Sequence, residues 1–280
     1  MTRSIVVGLD GTEQAEAAAE WAAEEARLRG TGVHLVYAKE PVSSTARASE
    51  DEWAEDMVAR AAARLRERRP GLSVTTRLLS AGPVPGLVAA AEEGELLVLG
   101  SRALGSVAGY LLGSVGLSVA GAVERPVVLV RAGSGAGAPS GPVVVGTDVR
   151  QPVDDVLGFA FEEAGRRGSE LHVVYAEQLS VFAGLGPAMV PDIRPAVAPE
   201  IERSLEELLE PWRAKHPGVA ATARVVVGSA GVELVEAARD AALVVIGRRT
   251  RNSVLGARIG SVAHAVLHHS PVPVALVPHA

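Results

Sequence analysis

Two stretches of this chain carry the residue types of an anion cradle. From Val98 to Val115 the sequence reads V-L-G-S-R-A-L-G-S-V-A-G-Y-L-L-G-S-V; from Val244 to Val262 it reads V-V-I-G-R-R-T-R-N-S-V-L-G-A-R-I-G-S-V. Each opens on an apolar run that predicts a buried strand. Each then enters a loop, carrying Gly100, Gly105, Gly109 and Gly113 in the first, and closes on Gly-Ser where an amphipathic segment begins. Glycine lets backbone N–H groups approach an anion, and a helix N-terminus adds unpaired donors and a partial positive charge. Strand, glycine loop and serine at a helix start are the parts of a phosphate site. Gly100, Gly109, Gly113 and Ser114 match Gly247, Gly256, Gly260 and Ser261 at one offset (247 − 100 = 261 − 114 = 147).

Asp10 is the carboxylate placed to work with such a cradle. It follows the apolar run Ser4–Leu9 and precedes Gly11 and Thr12. There it can accept hydrogen bonds from a base or ribose, or it can brace the turn into the next helix; the residues leave both open. Asp148 holds the same place in a second copy (148 − 10 = 138), and Tyr37-Ala38 matches Tyr175-Ala176 at the same offset. In the second loop Arg248, Arg249, Arg251 and Arg258 offer guanidinium groups that can hold phosphate directly, or face solvent.

Other chemistries lack their parts. The lysines, Lys39 and Lys215, lie in neither glycine loop, so no Walker A site exists, and the turn G-L-D-G-T-E after the first strand is not a dinucleotide fingerprint. A phosphoacceptor receiver wants Lys after its last strand, where Arg131 and Pro278 stand. His264 and His268 have a metal-ligand spacing, with His269 beside them, but no H-E-x-x-H carboxylate. Cysteine is absent, and no nucleophile–base pair has supporting spacing. The reading is a binding protein with no catalytic residues and no metal.

The elements that position these residues alternate. In the first copy the patterns predict strands near 4–9, 33–38, 73–79, 95–99 and 126–130, and helices near 12–29, 51–68, 84–93 and 114–123. Thr12 is the expected N-cap of the first helix and Gly30 lies past its end. Short β-branched strands alternating with helices give an α/β doubly wound domain, a parallel sheet covered on both faces. Offsets of 138 early and 147 late give the second copy nine extra residues (147 − 138), within the loop-like stretch 180–199. Residues 132–141 read as a flexible linker between domains 1–131 and 142–280.

A chain of 280 residues with 48% hydrophobic content supports two packed cores, and its net charge of −6 argues against general nucleic-acid binding. The N-terminal apolar stretch is too short for a signal peptide, and no apolar run reaches membrane-spanning length. A soluble cytoplasmic protein, with no membrane partner, is the expectation.

The chain resembles the universal stress protein family in its tandem form. The family's nucleotide motif is Gly, two residues, Gly, nine residues, Gly, then Ser or Thr. Gly100, Gly113 and Ser114 match it with Ala103 at the second Gly; Gly247, Gly260 and Ser261 match it with Thr250 there. The signature V-G-x-D-G-S/T is met by Val7–Thr12, and in the second copy by Val145–Asp148, with Val149 and Arg150 following. The closing P-V-x-x-V stands at Pro126–Val130 and Pro273–Val277. The resemblance implies five-stranded parallel sheets of order 3-2-1-4-5 and a site for ATP. That site would be built from Asp10, Gly11, Thr12, Ala38, Gly100, Ala103, Gly113, Ser114 and Val115, and from Asp148, Ala176, Gly247, Thr250, Gly260, Ser261 and Val262, the first favoured. It also implies that the closing strands pair the two domains, and it leaves room for a homodimer. The substitutions at Ala103 and Thr250 keep a second reading open, a scaffold that binds no nucleotide.

Overall fold

The computed structural model describes residues 4–39, 47–103, 110–111, 113–133, 141–151, 154–177, 194–250 and 259–280. The first half runs β1 (Ile5–Gly8), α1 (Glu13–Arg29), β2 (Val33–Ala38), α2 (Arg47–Arg68), β3 (Val74–Leu79), α3 (Pro83–Glu93), β4 (Leu96–Ala103), β5 (Tyr110–Leu111), α4 (Ser114–Ala122) and β6 (Val127–Arg131). The second runs β7 (Val143–Gly146), α5 (Asp154–Arg167), β8 (Leu171–Glu177), α6 (Arg194–Lys215), β9 (Ala221–Val227), α7 (Ala230–Ala237), β10 (Leu243–Arg249), α8 (Ser261–His269) and β11 (Val274–His279).

The strands form one sheet in the order β3-β2-β1-β4-β6-β11-β10-β7-β8-β9. Within each half every pairing on this path is parallel, as strands joined by helical crossovers must be. The halves meet where β6 and β11 pair antiparallel, Val128 opposite Ala275. The central strands are apolar on both faces and fully buried, Ile5, Val7, Leu96, Val98 and Val128 against one layer of helices and Val6, Leu97, Val127 and Leu129 against the other. Core residues are small, so helices pack close: α1 lays Ala15, Ala18, Ala22 and Ala26 on the sheet.

The helix starts follow local rules. Thr12 caps α1 by accepting from the Ala15 N–H at 3.3 Å, and Gly30 ends it at φ +64°. Two expectations need correction. Residues 100–103 are not loop: β4 continues through Ala103 because β6 pairs with it as far as Ser101 opposite Arg131, and β5 pairs back antiparallel. Helix α2 begins at Arg47, four residues before the expected start (51 − 47). Gly105, Gly109, Arg251, Gly256 and Arg258, most of the linker, and residues 180–193 of the stretch 180–199 lie outside the described residues.

Candidate functional site

Beyond the C-terminal ends of β1, β2 and β4 lies a cavity of about 370 Å³. Seven residues nominated from sequence line it: Asp10, Thr12, Ala38, Gly100, Gly113, Ser114 and Val115. This is the switch point of a wound sheet, where β1 sends its chain to one side and β4 to the other.

The cradle is the start of α4. Its first intrahelical bond runs from the Leu117 N–H to the Gly113 carbonyl at 3.0 Å, so the N–H groups of Ser114, Val115 and Gly116 have no helical partner. No acidic residue stands in the first turn and no side chain caps the end. Gly113 has φ −57°, and a Cβ there would meet nothing within 4 Å. Neither backbone conformation nor protein packing demands glycine at 113; its effect is to keep the helix end open.

Asp10 does brace the turn. Its Oδ1 accepts from the Thr12 N–H at 3.0 Å and from the Thr12 hydroxyl at 2.5 Å, which fixes the hydroxyl that caps α1. The carboxylate is exposed at the cavity edge. Tyr37 stacks edge-on against Trp53 at 5.8 Å and closes the side toward α2. Gly100 is a packing glycine, since a Cβ there would lie 2.5 Å from the backbone of Gln14.

The remaining two nominated residues of the first half are Gly11 and Ala103. Gly11 makes the turn at φ +78° and sits beneath the Trp53 ring, in a smaller cleft with Met57. Ala103 is held in the β4–β5 ladder opposite Tyr110. In that extended pairing it needs no left-handed backbone, so the strain that a Cβ adds at positive φ does not arise.

The second half has an equivalent cavity, also about 370 Å³, lined by Asp148, Ala176, Gly247 and Val262 among the nominated residues. Gly260 and Ser261 stand at the start of α8 beside it, where the His264 N–H to Gly260 carbonyl bond leaves the first three amides without helical partners. Thr250 is outside it, its N–H and hydroxyl both given to the His279 carbonyl at 2.7 and 2.8 Å.

The chemistry of this cavity differs. Arg150, in the place of Thr12, donates to both carboxylate oxygens of Glu177 at 2.9 Å, and the Tyr175 hydroxyl donates to Glu177 as well. Burial and the bond to Glu177 push the Tyr175 hydroxyl up to about 12. Burial also opposes charge on Glu177, but the Tyr175 and Arg150 hydrogen bonds outweigh it and lower its pKa. Arg249 lines the mouth and donates to Gln151, and the His279 ring covers Gly247. Arg248 neither lines the cavity nor faces solvent. It is buried and donates to the Gly121 and Val123 carbonyls of the first half. Its aliphatic neighbours along β10, Val244–Ile246, carry the alternation that points it inward.

Sequence reasoning did not find Glu177 or His279. Glu177 directly follows the Tyr175-Ala176 pair, opposite Lys39 in the other copy (177 − 39 = 138), and that charge reversal was a readable signal. Among the described residues no group of three or more His, Asp or Glu could hold a metal ion, and no helix is long and apolar enough to cross a membrane.

The family model of the Universal stress protein family matches residues 1–131 and 140–278. Two universal stress proteins of Mycobacterium tuberculosis, Rv2005c and Rv1996, are 34% and 31% identical to the chain over 285 and 306 residues. The alignments cover 96% and 98% of this chain and 95% of each relative. The crystal structure of a universal stress protein from Archaeoglobus fulgidus superimposes with a TM-score of 0.76 at 19% identity, covering 99% of this chain and 98% of that one, a likeness of fold. Two matches in tandem and relatives aligned end to end place the chain in the universal stress protein family.

Proposed function

We propose that this chain is a regulatory protein that binds an adenine nucleotide, ATP by the family's motif, in the cavity of its first half in preference to the second. The observation that carries this reading is the start of α4. Three amides without helical partners, with no acid in the first turn and no side-chain cap, open on the cavity that holds Asp10 and Ala38. An anion is the group such a helix end favours, and 370 Å³ is within the range of small-molecule sites.

The second cavity supports weaker binding of the same ligand. A nucleotide there competes with the Arg150–Glu177–Tyr175 network for the end nearest Ala176. We further propose that the protein acts by occupancy and not by turnover. Among the described residues that line the first cavity, Asp10 and Tyr37 are the ionisable side chains, and Asp10 is committed to the turn. The two halves act as one internal pair joined at β6 and β11.

Calorimetry with ATP tests the reading on the whole chain and on Gly113→Glu, which puts a carboxylate at the cradle. The expected result is binding at millimolar ATP or below, lost or weakened at least tenfold in the variant. A ligand at a hundred times its Kd stabilises the fold by about 2.7 kcal/mol, so melting temperature reports it independently. No heat and no melting shift at millimolar ATP would leave the scaffold reading in its place.

A further inference from the structure

Two of the arginines that cross between the halves reach the helices that carry the cradles. Arg248 is flanked in β10 by Gly247 and Arg249, which line the second cavity, yet its guanidinium reaches the C-terminal end of α4. It donates to the Gly121 carbonyl at 2.9 Å and to the Val123 carbonyl. The N-terminal end of that same helix is the cradle of the first cavity. In the other direction Arg131, at the end of β6, donates to the Leu267 carbonyl at 2.7 Å. Leu267 lies in the last turn of α8, whose first turn, Val262 and Ala263, lines the second cavity.

Both arginines are buried, at 4% and 5% exposure, so the contacts are not incidental surface pairs. Neither belongs to the repeat: position 101 is Ser where 248 is Arg (248 − 147), and position 278 is Pro where 131 is Arg (131 + 147). Two different positions have arrived at the same contact. Burial lowers the pKa of Arg248 and Glu124 partly restores it.

We infer that Arg248 and Arg131 are positioning residues for the opposite half's phosphate cradle, so that each cavity is completed from behind by the other repeat. The helices are nine residues long, about 14 Å at 1.5 Å per residue, too short to bend between their ends. A cation on the last carbonyls and an anion on the first amides act on the same dipole and on the same rigid body. Arg248 fixes where Ser114, Val115 and Gly116 point. The inference rests on the nucleotide reading for its ligand, but its geometry stands on the helices alone.

The test uses the full chain carrying Arg248→Met, which keeps the buried volume. To separate the cavities it is combined with Gly260→Glu, which blocks the second cradle. The substitution at 260 enters open space at φ −61°. The expected result is ATP affinity at the first cavity reduced about tenfold with adenosine affinity unchanged, because the cradle meets only phosphate. Arg248→Met combined instead with Gly113→Glu should leave the second cavity's ATP affinity as it was. Equal losses for adenosine and ATP, or equal losses at both cavities, would show general destabilisation and overturn the inference. Hydrogen exchange without ligand gives the second readout: amides of α4 should exchange faster in Arg248→Met, and those of α8 faster in Arg131→Met. Unchanged exchange in both overturns the inference even if the chain binds no nucleotide. Absent ATP binding by the unmodified chain with the exchange pattern intact would sink only the nucleotide reading.

Discussion

Gly100 and Gly113 belong to one motif but are kept by different forces. A Cβ on Gly100 would lie 2.5 Å from the main chain of Gln14 and 2.6 Å from Ala15 N, so α1 would have to move off β4. Overpacking of this kind costs about 1–3 kcal/mol. Gly113 has open space and an ordinary φ, and its loss affects only the N-cap, by less than about 1 kcal/mol. Gly100→Ala should therefore lower the melting temperature by several degrees, at about 2–4 °C per kcal/mol for a chain of this size class, while Gly113→Ala should hardly shift it. Scanning calorimetry separates the two; equal melting temperatures would contradict the packing role of Gly100. The sequence alone treats both glycines as cradle residues because spacing records position and not what lies across from it. The neighbour that decides Gly100 is 86 residues away in the chain (100 − 14).

At the scale of elements, α1 and α5 cross over a ring of charge. Arg29 binds Glu25 and Glu163, each at 2.5 Å, and Arg167 binds Glu163 and, at 2.5 Å, Glu25. The two carboxylates are 1% and 0% exposed and the two guanidinium side chains 8% and 7%. Removing one member of such a set leaves a buried charge without its counterpart, a loss of about 3–5 kcal/mol. Burial works against ionising Glu163, but Arg167, Arg29 and Arg166 outweigh it and hold its carboxyl below the ordinary 4.5. Its contribution is thus present above that value and lost as pH falls through the lower folded one. Burial, then the charge of Glu163, raises Glu25 above 4.5 instead. Glu163→Gln should melt well below the unmodified chain at pH 7, with the gap narrowing as pH drops below 4.5, and Glu25→Gln should be the milder change at neutral pH. Melting curves from pH 7 to 3 check both; a gap that widens on acidification would contradict the assignment. The alternation of strands and helices, the caps and the repeat itself were legible in the sequence because each is written in local spacing. The ring was not, since helical periodicity reads Glu and Arg as a solvated face. One signal did exist: 163 − 25 and 167 − 29 both equal 138, so both copies keep the same acid and base at the same helical positions. The extension of β4 to Ala103 was missed for the opposite reason, that glycine and polar residues there look like loop until a partner strand supplies hydrogen bonds.

At the scale of the whole molecule, the register of the junction gives its symmetry. Val127, Val128 and Leu129 pair with Leu276, Ala275 and Val274, and the repeat offset of 147 carries the first three onto 274, 275 and 276. Equivalent residues Val128 and Ala275 therefore face each other, and a pseudo-two-fold axis passes between them, as in an isologous dimer. Separating the halves would bare two strands whose residues are at most 3% exposed, from Val127 to Val130 and from Val274 to Val277. It would also unpair the α1–α5 ring and uncap α4 and α8. A bare apolar edge with a row of unpaired N–H and C=O groups is a state proteins avoid. A protease site placed within 134–140 and then cut should therefore leave two fragments that co-elute at the size of the intact 28.8 kDa chain at micromolar concentration. High salt should not part them, because buried ion pairs are screened far less than exposed ones and the strand contact is apolar. Cutting in an Arg29→Met, Arg167→Met background should weaken the pair without abolishing it, since the β6–β11 ladder remains. Fragments that elute apart in the unmodified background would show instead that the linker, and not the sheet, keeps the halves together.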